Sequence, residues 1–299
     1  MADSAEFFRI AIPDASPDRD GSDTSGGLMK SYQMVPVGGS REFRVRVSGK
    51  VQLAVGNSSL VTIGTAGAPT GSRLTFDSKA GPEFSFTIRS IAGAGRTQIV
   101  AARSDGSVVD RLVVSVKTER SVTYNIHRLQ DIVRLTSRGF TELQTIMGKV
   151  EKYYLEQANI RLTRQRTQTL FIKQDLGDPF DDTPDLIKPI DNELSAKGFY
   201  AATLNLISTW DLKDKFLGMP LQGSTPFLLQ TFRPQVVLVK AQQNDEETNT
   251  YAHEIGHGLG LQHQDQPHNF LMNDQGHLGY AMRAIDIDRI NTSGTQPTP

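Results

Sequence analysis

Up to about residue 118 the chain is written in short runs that alternate apolar and polar positions. Phe43, Val45 and Val47 form one such run, and Phe84, Phe86 and Ile88 form another. A period of two places every second side chain on the same face of a strand. Further runs are rich in β-formers: Val51 to Val55, Leu60 to Ile63, Gln98 to Ala101 and Val108 to Val116. Turn-forming clusters separate them, among them Gly38-Gly39-Ser40, Gly56-Asn57-Ser58-Ser59 and Ser104-Asp105-Gly106. Short strands punctuated at this spacing predict an all-β sandwich over residues 1–118. The polar stretch 14–27 reads as a loop.

From about residue 122 the period lengthens. Ile126, Leu129, Ile132 and Val133 share a helical face, and Phe140, Leu143, Met147, Val150 and Tyr154 predict a helix from about 140 to 157. Strands are expected at Ile160 to Leu162, near Leu170 to Ile172, at Thr203 to Ser208 and at Val236 to Val239. A helix carrying histidines follows, and a last one near Tyr280 to Ile290. The pattern predicts two domains: the sandwich, then an α+β domain with a mixed sheet over residues 122–299. About 100 residues suits an immunoglobulin-like sandwich. Lack of a cysteine pair argues against the antibody type but not against its disulfide-free relatives.

Composition narrows the chemistry. The 299 residues contain no cysteine, so disulfides, thiolate ligands and cysteine nucleophiles are excluded. A formal charge of -1 with no basic run gives no sign of a nucleic-acid partner. No apolar run reaches 18 residues, so no membrane-spanning helix is expected. The opening MADSAEFFRIAIPDAS lacks a basic segment followed by a long apolar run and does not read as a secretory signal. Compartment and oligomeric state stay open.

The candidate chemistry lies in Tyr251-Ala-His-Glu-Ile-Gly-His-Gly-Leu-Gly-Leu-Gln-His263. His253 and His257, four apart, project from one face of a helix, so their imidazoles can meet on one ion. Glu254 lies beside the first and can reach a water on that ion. Gly260 falls where the helix must turn sharply to bring back His263 as third ligand. Three imidazoles leave the fourth position to water, which is the catalytic zinc pattern. Five fixed positions would coincide by chance in roughly one chain in 10⁵ at average residue frequencies. The blander reading is a helix bearing surface histidines. It leaves unexplained why five of the six histidines fall between 253 and 277.

The spacing His-Glu-x-x-His-x-x-Gly-x-x-His resembles the signature of the metzincin zinc peptidases at every fixed position. That family carries a methionine turn beneath its metal, and Met272, nine residues after His263, is the candidate here. Helix 140–157 with Ala158 to Leu162, and Thr203 to Thr209 with Leu217-Gly-Met219, resemble its other elements, so the likeness spans about residues 122–292. It implies one catalytic zinc on His253, His257 and His263, a protein or peptide substrate, and Glu254 as general base to a zinc-activated water. It also suggests that an extended substrate pairs beside the Val236–Val239 strand, though an apolar run equally fits a buried central strand. The chain departs from the family at Gln264, and Asp274 stands where some members carry a tyrosine ligand; Tyr280 is a weak substitute. His268 and His277 read as surface residues.

Asp175, Asp178, Asp181, Asp182 and Asp185 offer hard oxygens to calcium, but their spacing matches no recognised loop and a solvated loop is the commoner outcome. Three functions remain: a zinc endopeptidase, a zinc amidase acting on cell-wall peptide cross-links, and a binding or adhesion protein whose zinc domain is inactive.

Overall fold

The computed structural model describes residues 4–9, 31–65, 70–178, 184–210, 236–240, 247–263, 271–272 and 282–293. The chain forms two compact units: Met1–Arg120 with Glu156–Asn159 and Ala281–Pro299, and Ser121–Leu155 with Ile160–Tyr280. The loop expected at 14–27 lies outside the described residues, as do Leu217, Met219, Gln264, His268, Asp274, His277 and Tyr280.

Among its described residues the first unit holds nine strands: β1 (Ser4–Arg9), β2 (Ser31–Pro36), β3 (Ser40–Ser48), β4 (Lys50–Val55), β5 (Val61–Gly64), β6 (Arg73–Asp77), β7 (Glu83–Ser90), β8 (Gly95–Arg103) and β9 (Val108–Lys117). They make a four-stranded sheet in the order β1-β3-β7-β5 and a five-stranded sheet in the order β2-β9-β8-β4-β6. Both sheets contribute to one core. Phe43, Val45 and Phe86 come from the first, and Leu53, Ile99, Leu112 and Val114 from the second. In β3 the alternation is complete, with Phe43, Val45 and Val47 buried and Glu42, Arg44 and Arg46 exposed. At the centre Phe7, Phe43 and Phe86 pack with ring centroids 6.0–6.3 Å apart. β2, which pairs in parallel with β9, has no readable period because Tyr32, Gln33, Met34 and Val35 are all buried.

A short helix, Ala284–Ile290, belongs to this first unit. It is α4 in chain order, after α1 (Phe140–Ala158), α2 (Pro184–Ala196) and α3 (Glu247–Gly258). The Lys117 side chain, 0% exposed, meets the chain around α4. Its ammonium donates to the Asn291 carbonyl at 2.8 Å and forms an ion pair with Asp288 at 2.7 Å. Arg96 pairs with the other Asp288 oxygen. Asn291 Nδ2 donates to the carbonyls of Ala158 at 2.7 Å and Thr118 at 3.0 Å. Asn159, at a left-handed φ of 51°, closes α1 and donates to the Lys117 carbonyl at 2.9 Å.

In the second unit the sheet order is β11-β10-β12-β13, built from β10 (Arg120–Gln130), β11 (Ile160–Phe171), β12 (Leu204–Thr209) and β13 (Val236–Lys240). β10 and β13 both run parallel to β12. Two expectations are corrected here. The helical face read from Ile126 to Val133 is a strand and its turn: Ile126 and Leu129 are buried in β10, while Ile132 and Val133 are 60% and 63% exposed. β11 is one continuous strand, where two short ones were expected. Its middle residues, Thr163 to Arg166, are exposed, so no apolar period marks it. Val236 to Val239 are all buried, which matches the apolar run. No helix among the described residues is long and apolar enough to cross a membrane.

β10 hides polar side chains. Asn125 and His127 lie two apart, opposite Asn205 and Ile207 of β12. Asn125 Nδ2 donates to Asn205 Oδ1 at 2.9 Å, and His127 Nε2 lies 3.0 Å from the same oxygen, so that nitrogen must carry the proton. Burial pushes the His127 imidazole down to about 4; the Asn205 bond opposes this and the Lys197 charge adds to it. Between pH 6.5 and 4 the unfolded chain therefore takes up a proton that the folded chain refuses. Stability from this group is complete above pH 6.5 and is lost as the pH falls, by about 3 kcal/mol in all. His127→Gln keeps a donor toward Asn205 without titrating. Its melting temperature is expected to fall less between pH 7 and pH 4 than that of the parent. Parallel pH profiles for the two proteins would refute the assignment.

Candidate metal centre

α3 is buried on nearly every side. Thr248, Thr250, Tyr251, Ala252, His253, Glu254 and Ile255 are all buried, and His257 is only slightly exposed. Such a helix cannot rotate without disturbing packing along its whole length, and its histidines are held by that packing. Its end is formed by backbone bonds. Leu261 N–H donates to the Gly256 carbonyl at 2.9 Å and Gly260 N–H to the His257 carbonyl at 2.8 Å. This is the Schellman arrangement. It needs a left-handed residue at Gly260, whose φ is +97°. The chain then doubles back, Leu261 is buried, and His263 follows two residues later.

The structure brings His253, His257 and His263 together. Their Nε2 atoms stand 3.0 Å apart in each of the three pairs. Two of the rings are oriented by carbonyls. His253 Nδ1 lies 2.5 Å from the Leu271 oxygen and His257 Nδ1 lies 2.9 Å from the Leu261 oxygen. A carbonyl only accepts, so each Nδ1 carries the proton and each Nε2 presents a bare lone pair. Burial also pushes the His257 ring down to about 4, with the His263 charge acting in the same direction against the Leu261 bond. The His257 ring is thus neutral near pH 7. Bare imidazole lone pairs brought within 3.0 Å of one another repel, and a cation among them removes that repulsion. Nitrogens 2.0–2.1 Å from a tetrahedral zinc would lie about 3.3 Å apart, so the triad fits zinc to within a few tenths of an ångström. With imidazole as the only donor type, the set suits zinc or a neighbouring transition metal and not calcium.

Glu254 follows the first of these histidines and is 1% exposed. Met272 is buried against the same helix. A Cβ on Gly256 would lie only 2.7 Å from Met272 Sδ, so a side chain there would displace the methionine. Leu271 and Leu261 orient the ligands through carbonyl oxygens, and sequence reasoning missed both because a backbone acceptor leaves no mark on residue type. His127, the remaining described histidine, belongs to the Asn205 cluster.

Of the acidic stretch, Asp175 and Asp178 both pair with Arg134, at 2.7 Å and 3.5 Å, so their carboxylates already share a cation. Asp181, Asp182 and the Asp185 side chain lie outside the described residues. Among the described residues, His253, His257 and His263 form the one group of three or more candidate ligands that converge.

No protein-family model matches the chain, and no curated protein matches it. Among solved structures, a zinc-dependent peptidase from Methanocorpusculum labreanum (strain Z) aligns with 17% identity and a TM-score of 0.35 over 56% of this chain and 100% of its own length. A chaperone–substrate complex aligns with 12% identity and a TM-score of 0.36 over 69% of this chain. The chain spans 38% of the length of that second protein. One distant structural neighbour is therefore a zinc-dependent peptidase, and the chain holds a histidine triad able to bind a metal. Likeness at these scores carries no argument about activity, and the functional reading rests on the triad alone.

Proposed function

We propose that the chain is a zinc-dependent endopeptidase of metzincin type, with an immunoglobulin-like sandwich preceding the catalytic domain. The observation that carries this reading is the convergence of three Nε2 atoms, 3.0 Å apart in each pair, two of them on the buried helix that also carries the buried Glu254. His253, His257 and His263 would hold the ion. Bound there, zinc would acidify a water and polarise a substrate carbonyl. Leu271 and Leu261 keep the ligand rings in the correct tautomer, which is the usual role of outer partners at a metal site. Glu254 accepts the proton of the attacking water and returns it to the leaving nitrogen. Its seclusion from solvent strengthens that exchange. A protein that only binds has no use for a carboxylate placed there, which weighs against the adhesion reading.

Zinc-replete preparations of the whole chain are expected to contain one zinc per chain by elemental analysis, and His263→Ala to contain far less. Casein and peptidoglycan, assayed side by side, separate the endopeptidase from the cell-wall amidase. Casein cleavage that chelation abolishes and zinc restores supports the proposal. Action on peptidoglycan alone transfers it to the amidase, and a zinc content near zero overturns it.

A further inference from the structure

Tyr154 sits near the end of α1 and is 0% exposed. Its hydroxyl donates to the Ala252 carbonyl at 2.7 Å. Ala252 is peptide-bonded to the ligand His253 and lies within α3, where its carbonyl also accepts the Gly256 N–H of the helix. The phenol thus adds a second donor to a carbonyl already bonded within the helix. The crowding around Gly256 has the same origin. A Cβ there would lie 3.4 Å from the Tyr154 oxygen as well as 2.7 Å from Met272 Sδ. Glycine leaves room for a hydroxyl and a sulfur to press on the same turn, between two of the three ligands.

A second tyrosine hydroxyl fixes the same face of α1 one turn earlier. Tyr124, buried in β10, donates to Glu151 at 2.5 Å, one turn before Tyr154. α1 therefore carries two tyrosine hydroxyl bonds one turn apart, one to the sheet and one to the histidine helix.

We propose that Tyr154 is a positioning residue for the metal site: its hydroxyl sets the rotation and depth of α3, so that His253 and His257 meet His263 at ligand distance. The proposal rests on the zinc reading above and adds a residue that touches neither metal nor substrate. Sites of this kind tolerate displacements of only about 0.5 Å before geometry degrades, and loss of an outer partner commonly weakens metal affinity about 10- to 100-fold.

Tyr154→Phe removes one oxygen and keeps the ring in the core. Three measurements on the full chain test it: zinc affinity by competition with a chromogenic chelator, the visible spectrum after cobalt substitution, and kcat and KM on a peptide. About a tenfold loss of zinc affinity is expected, with a shifted cobalt spectrum and a fall in kcat at nearly constant KM. Tyr200→Phe is the control. It deletes a comparable hydroxyl bond, to Asp191, away from the histidine helix, and should leave affinity and spectrum as in the parent. If Tyr154→Phe only lowers the melting temperature while affinity and spectrum match the parent, the hydroxyl is structural and the proposal fails alone. If both variants shift the spectrum equally, the effect is general loosening and the proposal also fails. If the parent binds neither zinc nor cobalt, the zinc reading falls and takes this one with it.

Discussion

Glu254→Gln is expected to lower turnover by a factor of about 10² to 10⁴, the usual contribution of a general acid–base group, while zinc content and melting temperature stay close to those of the parent. The substitution keeps volume and a hydrogen-bonding group and removes only basicity. Glu254 is 1% exposed, so an equal-sized replacement opens no cavity in α3. In the proposed site three imidazoles and a water would complete four-coordination, so the carboxylate would not be needed as a ligand. A structural role predicts a different outcome: a lower melting temperature, with activity falling only as far as the folded fraction does. Zinc content, thermal melting and peptide hydrolysis on one preparation separate the two. A folded, zinc-loaded variant that hydrolyses at the parental rate would refute the role given to Glu254.

The second large effect lies in the first unit. Asp288→Ala is expected to cost about 3–5 kcal/mol, because it strips the carboxylate from a fully buried lysine. Lys117 would keep only the Asn291 carbonyl, and desolvation already lowers the affinity of its amine for a proton. Arg96, partly exposed, can turn toward water, whereas Lys117 cannot. For a unit of this size the loss corresponds to a fall of roughly 6 to 20 °C in its transition. Raising the pH toward 10 should recover part of it. The lowered pKa of Lys117 means that the folded state releases this proton before the unfolded state does, so stability from this group rises with pH. The double variant Lys117→Met with Asp288→Leu is expected to melt above Asp288→Ala, since two apolar side chains leave no buried charge. Equal melting of Asp288→Ala and the parent would show that the pair is not energetically coupled.

The parts of this chain that its sequence discloses are those whose partners are close in sequence or whose burial is one-sided. β3 is half-buried, so Phe43, Val45 and Val47 mark it plainly. His253 and His257 share a helix face and Gly260 marks the helix end, so spacing alone suggests their convergence with His263. β10 is covered on both faces and carries Asn125 and His127 inward; its period was destroyed, and a helical one could be read across it. β11 fails for the opposite reason, being exposed through its middle. Tyr154 reads as one more apolar position four after Val150, since nothing local shows that its oxygen meets α3. Lys117 and Asp288 find each other across most of the chain, and no window of sequence contains both.

That last separation also bears on synthesis. Asn291 lies 174 residues after Lys117. At 5–20 residues per second, a ribosome needs roughly 10 to 35 s to travel between them. Through that interval the nascent first unit can pair its strands and fill its aromatic core, yet Lys117 has neither Asp288 nor Asn291 to receive its charge. The histidine segment emerges before the helix that completes the first unit. The first unit to begin folding is therefore among the last to finish. A premature stop after residue 280 would damage the domain farthest from it in sequence.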